Sequence, residues 1–315
     1  MRIEKPFHEG ELRVQERAGV SAEGERNSSM ITDTIIKGAL RFIEQQNMVV
    51  LGSLDRDNNV WASILSGQTG FMMAATEQRV TFDLARITHN NDDPLWNNIE
   101  NHSQIGMLVI DFGTRRRLRI NGRIRVSDQQ RLELKVQETY PNCPKYIQRR
   151  HSTISKKATR AGNAQKRQGK SLGEEQRAII TRADTFFVAS AHTDRGVDVS
   201  HRGGNPGFVR ILDNLTLRIP DYAGNSMFNT LGNFAVNPRA GLIFIDFNSG
   251  TSLQLIGRAE TLWDQDDPDQ ETAGSKRFWQ LHIESWLQIE RAHNLQWSFL
   301  DYSSYNPSLN DEKTR

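Results

Sequence analysis

The chain has 315 residues, 37% of them hydrophobic and 25% charged, with a formal net charge of +2. That length suggests about two domains, that composition is ordinary for a globular protein with a real core, and the near-neutral charge gives no global electrostatic case for a nucleic-acid partner. The single cysteine, Cys143, excludes an intramolecular disulfide framework and fits a reducing compartment.

Residues 1–32 are polar and read as a poorly ordered N-terminal arm, charged from the start and without the apolar stretch of a secretory signal. No apolar run approaches the ~20 residues that a spanning helix needs, so the expectation is a cytoplasmic protein with no membrane partner. A first domain, 33–140, opens with a helix over 33–46, where Ile36, Leu40 and Ile43 recur at helical spacing. MVVLGSL (48–54), the turn DRDNN and VWASILSG (60–67) then predict a hairpin. Further strands are expected at 70–76, 105–112 and 116–128. Residues 141–178 form a basic linker: from Thr139 to Gly173 there is no Asp or Glu, and AGNAQKRQGKSLG (161–173) reads as exposed and flexible. Its first part, NCPKYIQRR, places Lys145 and Arg149 four apart, on one face if the segment is helical. The second domain, 179–315, repeats the order with strands at 183–192, 196–201, 205–212, 241–247 and 252–263, and a helix entered through AGNSMFNTLGN (223–233). An aromatic segment (278–308) closes the chain as a packing strand or helix, with Trp297 and Tyr302 as candidates to cover a cofactor face.

One phrase is written twice. IDFGTRRRLRINGR (110–123) and IDFNSGTSLQLIGR (245–258) agree at six of fourteen positions, with a shift of 135 residues. A period of that size is one domain rather than a solenoid repeat. Earlier strands match at a shift of 137, pairing Ser63 with Ser200 and Gly70 with Gly207. Short strands with turn signals and one helix before the fourth strand predict a small β-barrel in each half.

The second half, with HRGGNPGFVRIL, an Asn/Gly-rich stretch, NPRAGLIFIDF and LIGRAETLW, resembles the FMN-binding split-barrel family of pyridoxamine 5′-phosphate oxidase-like proteins. MVVLGSLDRDNNVWASILSG is similar to the opening hairpin of the same fold, and the closest likeness is to a tandem branch that also carries FHEGEL and NCPKYIQRR. The resemblance implies a mainly β fold, a β-barrel with flanking helices in each half, and two tandem split barrels forming a pseudo-dimer. It implies an FMN cofactor and an oxidoreductase that passes a hydride between a small substrate and flavin N5, with a reductant such as a nicotinamide nucleotide and a possible homodimer. The family oxidase's own activity is not implied, because Asn205 stands where that enzyme has an arginine. The alternative is a non-catalytic flavin- or haem-binding protein with His201 as axial ligand.

A phosphate-bearing flavin needs clustered N–H donors, glycines and basic side chains. SHRGGNPG supplies Ser200, His201, Arg202, Gly204 and Asn205; Arg210 follows on the next strand, and Asn225, Asn229 and Thr230 sit around the first turns of the expected helix. Arg117 and Arg119 from the first half, with Lys145 and Arg149 from the linker, are the partner residues such a pseudo-dimer implies. Competing readings stand beside these: the glycines as a plain turn, Asn225 as a helix cap, His201 as a surface histidine. No second histidine stands at metal-ligand spacing from His201, so no metal is expected. In the first half the matching stretch is THNNDDPLWNN, whose Asp92 and Asp93 would repel a phosphate, so one site per chain is expected, in the second half. Asp111 and Asp246 read as a repeated strand-end turn.

Overall fold

Strand alternation decides what each half turns inward. The computed structural model describes residues 3–88, 90–128, 130–155 and 165–307. The first half runs α1 (Glu9–Arg17), α2 (Ser21–Ser28), α3 (Lys37–Glu44), β1 (Met48–Leu54), β2 (Val60–Ser66), β3 (Met72–Thr76), β4 (Arg79–Asp83), α4 (Leu95–Asn101), β5 (Gln104–Asp111), β6 (Arg116–Asp128), β7 (Arg131–Asn142), β8 (Arg149–Ile154) and β9 (Lys166–Gly169). The second follows as α5 (Glu174–Arg182), β10 (Thr185–His192), β11 (Gly196–Gly203), β12 (Arg210–Ile211), β13 (Thr216–Pro220), α6 (Asn229–Val236), β14 (Arg239–Ile245), β15 (Ser252–Leu262), β16 (Phe278–Ile289) and β17 (Leu295–Asp301). The sheets are ordered β2-β1-β5-β6-β7-β4-β3 and β11-β10-β14-β15-β16-β13-β12, all antiparallel, so each of these seven strands has a counterpart at the same place in the other half, while β9 adds beside β16 and β8 pairs with β17. The protein is mainly β, two tandem split-barrel domains.

Along β1, Val49 and Leu51 enter the first domain's own core, while Met48 and Val50 face the other way. β10 does the same, with Phe186 and Val188 inward and Phe187 and Ala189 outward. The outward sets meet in one shared core with residues of β2, β5, β11 and β14, which is why these strands are buried on both faces. Contact between the halves is backbone-close and reciprocal. A Cβ on Gly106 would lie 2.7 Å from the Val197 carbonyl oxygen, and one on Gly241 would lie 2.3 Å from that of Val60. Gly106 and Gly241 are counterparts in the repeat, as are Val60 and Val197, so the halves are related by a pseudo-two-fold.

Each residue of the repeated phrase has a place in this symmetry. Ile110 and Ile245 enter the shared core, and Leu118 and Leu253 the two private ones. Asp111 and Asp246 each cap a tight turn, accepting from Gly113 N and Thr114 N, and from Asn248 N and Ser249 N. Phe112 and Phe247 meet edge to face at 5.7 Å on the pseudo-axis, both against Trp297. Gly122 and Gly257 sit at matching β-bulges, where a Cβ would approach a neighbouring carbonyl oxygen to 2.1 Å. Arg123 and Arg258 are both exposed.

The structure departs from the expectations outside the repeat. The arm read as poorly ordered contains α1 and α2, because His8 and Glu11 form a capping box at the start of α1. Lys166–Gly169, expected as flexible linker, pairs with β16; residues 156–164, where the rest of that expectation falls, lie outside the described residues. NCPKYIQRR is not helical: Tyr146 adopts φ +64° and the chain then enters β8, which pairs with β17. Among the described residues no helix is long and apolar enough to cross a membrane.

Candidate functional site

The contact between the halves leaves a cleft of about 100 Å³ where β6 and the end of β7 face β11 and the entry to α6. β6 projects Arg117 and Arg119, β11 projects Ser200, His201 and Arg202, and the chain after β7 brings Cys143, Lys145 and Tyr146. Residues 224–231 close it with Asn225, Asn229, Thr230 and the first turn of α6. That helix is entered through Ser226 and Phe228, both at φ +59°, and has no side-chain cap. Its first N–H groups are therefore left for whatever occupies the cleft. Left-handed backbone at Tyr146, Ser226 and Phe228 collects strain at this one place.

The cleft is cationic beyond its own compensation. Arg119 has its charge compensated: it is ion-paired with Asp198 at 3.1 Å, donates to Tyr140 Oη and Asn229 Oδ1 at 2.9 Å, and bonds Ser200 Oγ. Burial works against its charge, but Asp198 and Tyr140 outweigh it and hold the guanidinium above its usual value. Asp221, the acid among the residues lining the cleft, is taken by Arg277 at 3.1 Å. Among the described residues, Arg117, Arg202 and Lys145 have no carboxylate in salt-bridge range. Arg117 donates to the Cys143 carbonyl (2.9 Å), to Cys143 Sγ (3.6 Å) and to His201. Burial, then the neighbouring Arg119 and Arg202, push its pKa down to about 10. Arg202 is lowered chiefly by burial, and its Nε has no partner.

His201 is 3% exposed, so it is no surface histidine. Its Nδ1 lies 3.2 Å from an Arg117 N–H and must accept, which places the proton on Nε2. Burial and then Arg117, Arg202 and Arg150 hold the ring neutral, well below its usual pKa. Nε2 is covered and unpartnered, with the ring packed edge-on against Phe112 and Phe187.

Of the residues expected at a site, the fold brings Arg117, Lys145, Ser200, His201, Arg202, Asn225, Asn229 and Thr230 together. Four are placed elsewhere. Gly204 turns the chain, its N–H bonded to the Asp184 carbonyl. Asn205 holds Pro307 and Asn306. Arg210 points outward to Glu271 at 2.6 Å, because it lies on a two-residue edge strand. Arg149 pairs with Asp301 between β8 and β17, since the segment is extended rather than helical. Trp297 and Tyr302 border a separate cavity of about 370 Å³, beside Arg150 and Phe247. Sequence reasoning missed Asn142, Asp221 and Tyr222, which nothing but the pairing of β13 and β7 with their neighbours brings here.

The symmetry-related position is a different environment. Ser252 and Gln254 occupy the places of Arg117 and Arg119, and Ser63 that of Ser200. Gln254 Nε2 donates to Ser63 Oγ at 3.1 Å, and Ser63 donates to Asp93 at 2.6 Å, where Thr230 meets Ser200 on the other side. Asp93 is buried, and burial raises its carboxyl to about 6. The set is neutral to acidic, with Ser252 Oγ and Gln254 Oε1 left unpartnered.

Among the described residues one cluster has metal-ligating side chains together: His8, Glu9 and His192. In both histidines Nδ1 accepts a backbone N–H, from Gly10 and Asp194 at 3.1 Å, so each Nε2 carries the proton and is spent on Asn233 or Glu9. A metal there would require imidazolates, and the cluster is a hydrogen-bonded one.

Fold and cleft together define a tandem split-barrel protein with one cationic cleft built jointly by its two halves. The profile of the pyridoxamine 5′-phosphate oxidase family matches residues 36–158 and again 172–295, and the chain belongs to that family, carrying its domain twice. None of the curated proteins matches the chain. Among solved structures, a putative pyridoxamine 5′-phosphate oxidase from Lactobacillus delbrueckii is 20% identical at TM-score 0.30, over 38% of this chain and 94% of that one. An FAD-binding protein from Mesorhizobium loti is 15% identical at TM-score 0.29, over 41% of this chain and 98% of its own. The heme storage protein HutZ of Vibrio cholerae is 15% identical at TM-score 0.28, over 38% and 94%.

Proposed function

We propose that the protein binds one FMN per chain in the cleft between its halves and acts as an FMN-dependent oxidoreductase on a small substrate. The observation that carries this is the set Arg117, Arg202 and Lys145, partly or wholly buried cations without carboxylate partners. Uncompensated buried charge is costly, and a dianionic phosphate relieves it. Arg117, Arg202, Lys145, Ser200 and the N–H groups opening α6 would hold the phosphate, and Asn225 and Asn229 the polar chain. Tyr146 and Tyr222, 4.8 Å apart at the mouth, offer aromatic surface to the ring system. When bound, the flavin supplies hydride transfer at N5, for which a nicotinamide nucleotide is the natural reductant. The chain's own residues bind and orient it and hold cationic charge beside it; none is required as an obligate acid or base.

Haem is the less favoured occupant, because axial ligation needs a histidine nitrogen facing open space and His201 Nε2 is covered. The visible spectrum of freshly purified protein, followed by denaturation and mass analysis of the released chromophore, tests the reading. FMN near one equivalent supports it. Two equivalents would place a flavin in the Gln254–Asp93 position as well, a Soret band would favour haem, and colourless protein that refuses added FMN would remove the proposal.

A further inference from the structure

The N-terminal helices reach the cleft from behind. α1 crosses α6 with backbones in near contact: a Cβ on Gly10 would lie 2.2 Å from the Gly232 carbonyl oxygen, and one on Gly232 would lie 2.5 Å from Glu11 Cγ. Only glycine at both positions permits that approach. It carries polar side chains of the first turn of α1 onto residues that border the cleft. His8 Nε2 meets Asn233 Oδ1 at 3.0 Å, and Glu11, buried, accepts from the His8 N–H at 2.9 Å and from Asn229 Nδ2. Further along, Gln15 Nε2 donates to the Met227 carbonyl at 3.2 Å and Asn27 Nδ2 to that of Asn225 at 2.8 Å. Three of these contacts, at Asn225, Met227 and Asn229, thus hold the strained entry to α6, and the contact of His8 with Asn233 holds its next turn.

Glu11 also settles an orientation. Arg119 can only donate and both Glu11 oxygens accept, so the amide of Asn229 turns its oxygen to Arg119 Nη1, at 2.9 Å, and its NH₂ to Glu11. Without Glu11 the Asn229 NH₂ loses its acceptor, and the side chain is free to turn away from Arg119. We infer that the N-terminal segment is a working part of the cleft, with Glu11 as a positioning residue that fixes Asn229 and through it Arg119, while Gln15 and Asn27 hold residues 225–227 in place. This rests on the anion-binding reading of the cleft, and electrostatics alone does not predict a loss. Removing an acidic side chain near a cationic site should leave anion binding unchanged or tighten it, whereas removing a positioning residue should weaken it.

The test is titration calorimetry with FMN and, separately, with inorganic pyrophosphate, on the full chain carrying Glu11→Ala, Asn229→Ala, both together, or Val14→Ala. Val14 packs α1 into the second core without touching the cleft. Loss of one charge-assisted hydrogen bond predicts about tenfold weaker binding for Glu11→Ala and at least as much for Asn229→Ala, which also loses its own contact with the ligand, and the double variant should be no weaker than Asn229→Ala, because both break the same link. Val14→Ala should lower the unfolding temperature and leave affinity within about twofold. Unchanged or tighter binding in Glu11→Ala, multiplying effects in the double variant, or equal loss in Val14→Ala would overturn the inference. Should Glu11→Ala fail to fold, Asn27→Ala, at a half-buried position, releases the same loop: several-fold weaker binding supports the inference and unchanged binding overturns it. Wild-type protein that binds pyrophosphate and not FMN would sink the flavin reading while pyrophosphate still decides the positioning role, and wild type that binds neither would overturn both.

Discussion

Replacing Arg117 with methionine separates a binding residue from a structural one, because the two roles predict different effects on the empty protein. Methionine keeps most of the bulk and removes the charge. Burial, with Arg119 and Arg202 close by, lowers the Arg117 pKa from 12.5 to about 10. At about 1.4 kcal/mol per unit, that is about 3 kcal/mol against the charged form in the fold. The side chain is partly open to the cleft, so solvent screening leaves roughly half of this. Against it stand the lost hydrogen bonds to the Cys143 carbonyl, where water can reach the oxygen, and to the buried His201 Nδ1, together about 1–2 kcal/mol. The ligand-free variant should therefore stay within about 1 kcal/mol of wild type, a shift in unfolding temperature of roughly 2–4 °C at most. FMN and pyrophosphate should bind about 10–100-fold more weakly. Calorimetric unfolding with and without ligand reads both quantities. A variant that is 2 kcal/mol less stable yet binds as before would refute the reasoning, and would make Arg117 a strut between Cys143 and His201.

Three further outcomes follow from the same geometry. Thr230→Asp puts before Ser200 the group that Asp93 puts before Ser63, and should weaken FMN binding more than about 100-fold with unchanged circular dichroism; retained binding would contradict an anion site there. Gly241→Ala drives a Cβ into the Val60 carbonyl and should cost about 3 kcal/mol or more in urea unfolding, with a cost below about 1 kcal/mol ruling out the backbone contact between halves. Stability should also fall from pH 6.5 to 8.5. Burial raises Glu11 to about 8 and Glu138 to about 7, both from 4.5. The folded state therefore holds protons that the unfolded state has released, and stability present below the unfolded value is lost as pH rises through the folded ones. His8 and His293, lowered to about 4 by burial, are neutral in both states over most of this window and oppose the trend only below it. Unfolding temperatures that stay flat or rise across that range, or a Glu138→Gln variant with an unchanged slope, would count against the buried acid cluster.

What the sequence made legible were features with a local signature. The hairpin of β1 and β2 announces itself through two β-branched runs around an Asp/Asn turn, and the duplication through Ile, Asp, Phe, Leu, Gly and Arg in register. Resemblance added the cleft residues on β11 and α6, and the divergence at Arg117 and Arg119 pointed across the halves. Contacts between distant segments carry no such signal. Gly10 meets Gly232 and Asn27 meets Asn225, and neither sequence neighbourhood shows why, so the arm looked like a solvated extension. β7 was readable, since Leu132, Leu134 and Val136 alternate with Glu133, Lys135 and Gln137, and its omission concealed the route that brings Asn142 and Cys143 to the cleft. Spacing misled at NCPKYIQRR, where an i, i+4 pair suggests a helix face and the left-handed Tyr146 makes one impossible.

Fusion explains why the repeated phrase is basic only once. In a symmetric dimer of identical barrels, any residue that favours the cofactor appears at both interface positions, and so does its cost to the empty protein. Arg117 illustrates that cost: a cation held against burial and like charge. Within one chain the two positions are free to part. At the first, Arg119, Ser200 and Thr230 form a polar frame around uncompensated Arg117 and Arg202. At the second, Gln254 Nε2, Ser63 and Asp93 bond one another, and the atoms left unpartnered, Gln254 Oε1 and Ser252 Oγ, carry no positive charge for an anion. The frame survives in both, down to the serine, while the charge survives in one. A cleft kept for ligand should be less comfortable empty than its twin, and the contrast between guanidinium groups without carboxylates and a hydrogen-bonded set without uncompensated cations meets that criterion within a single molecule.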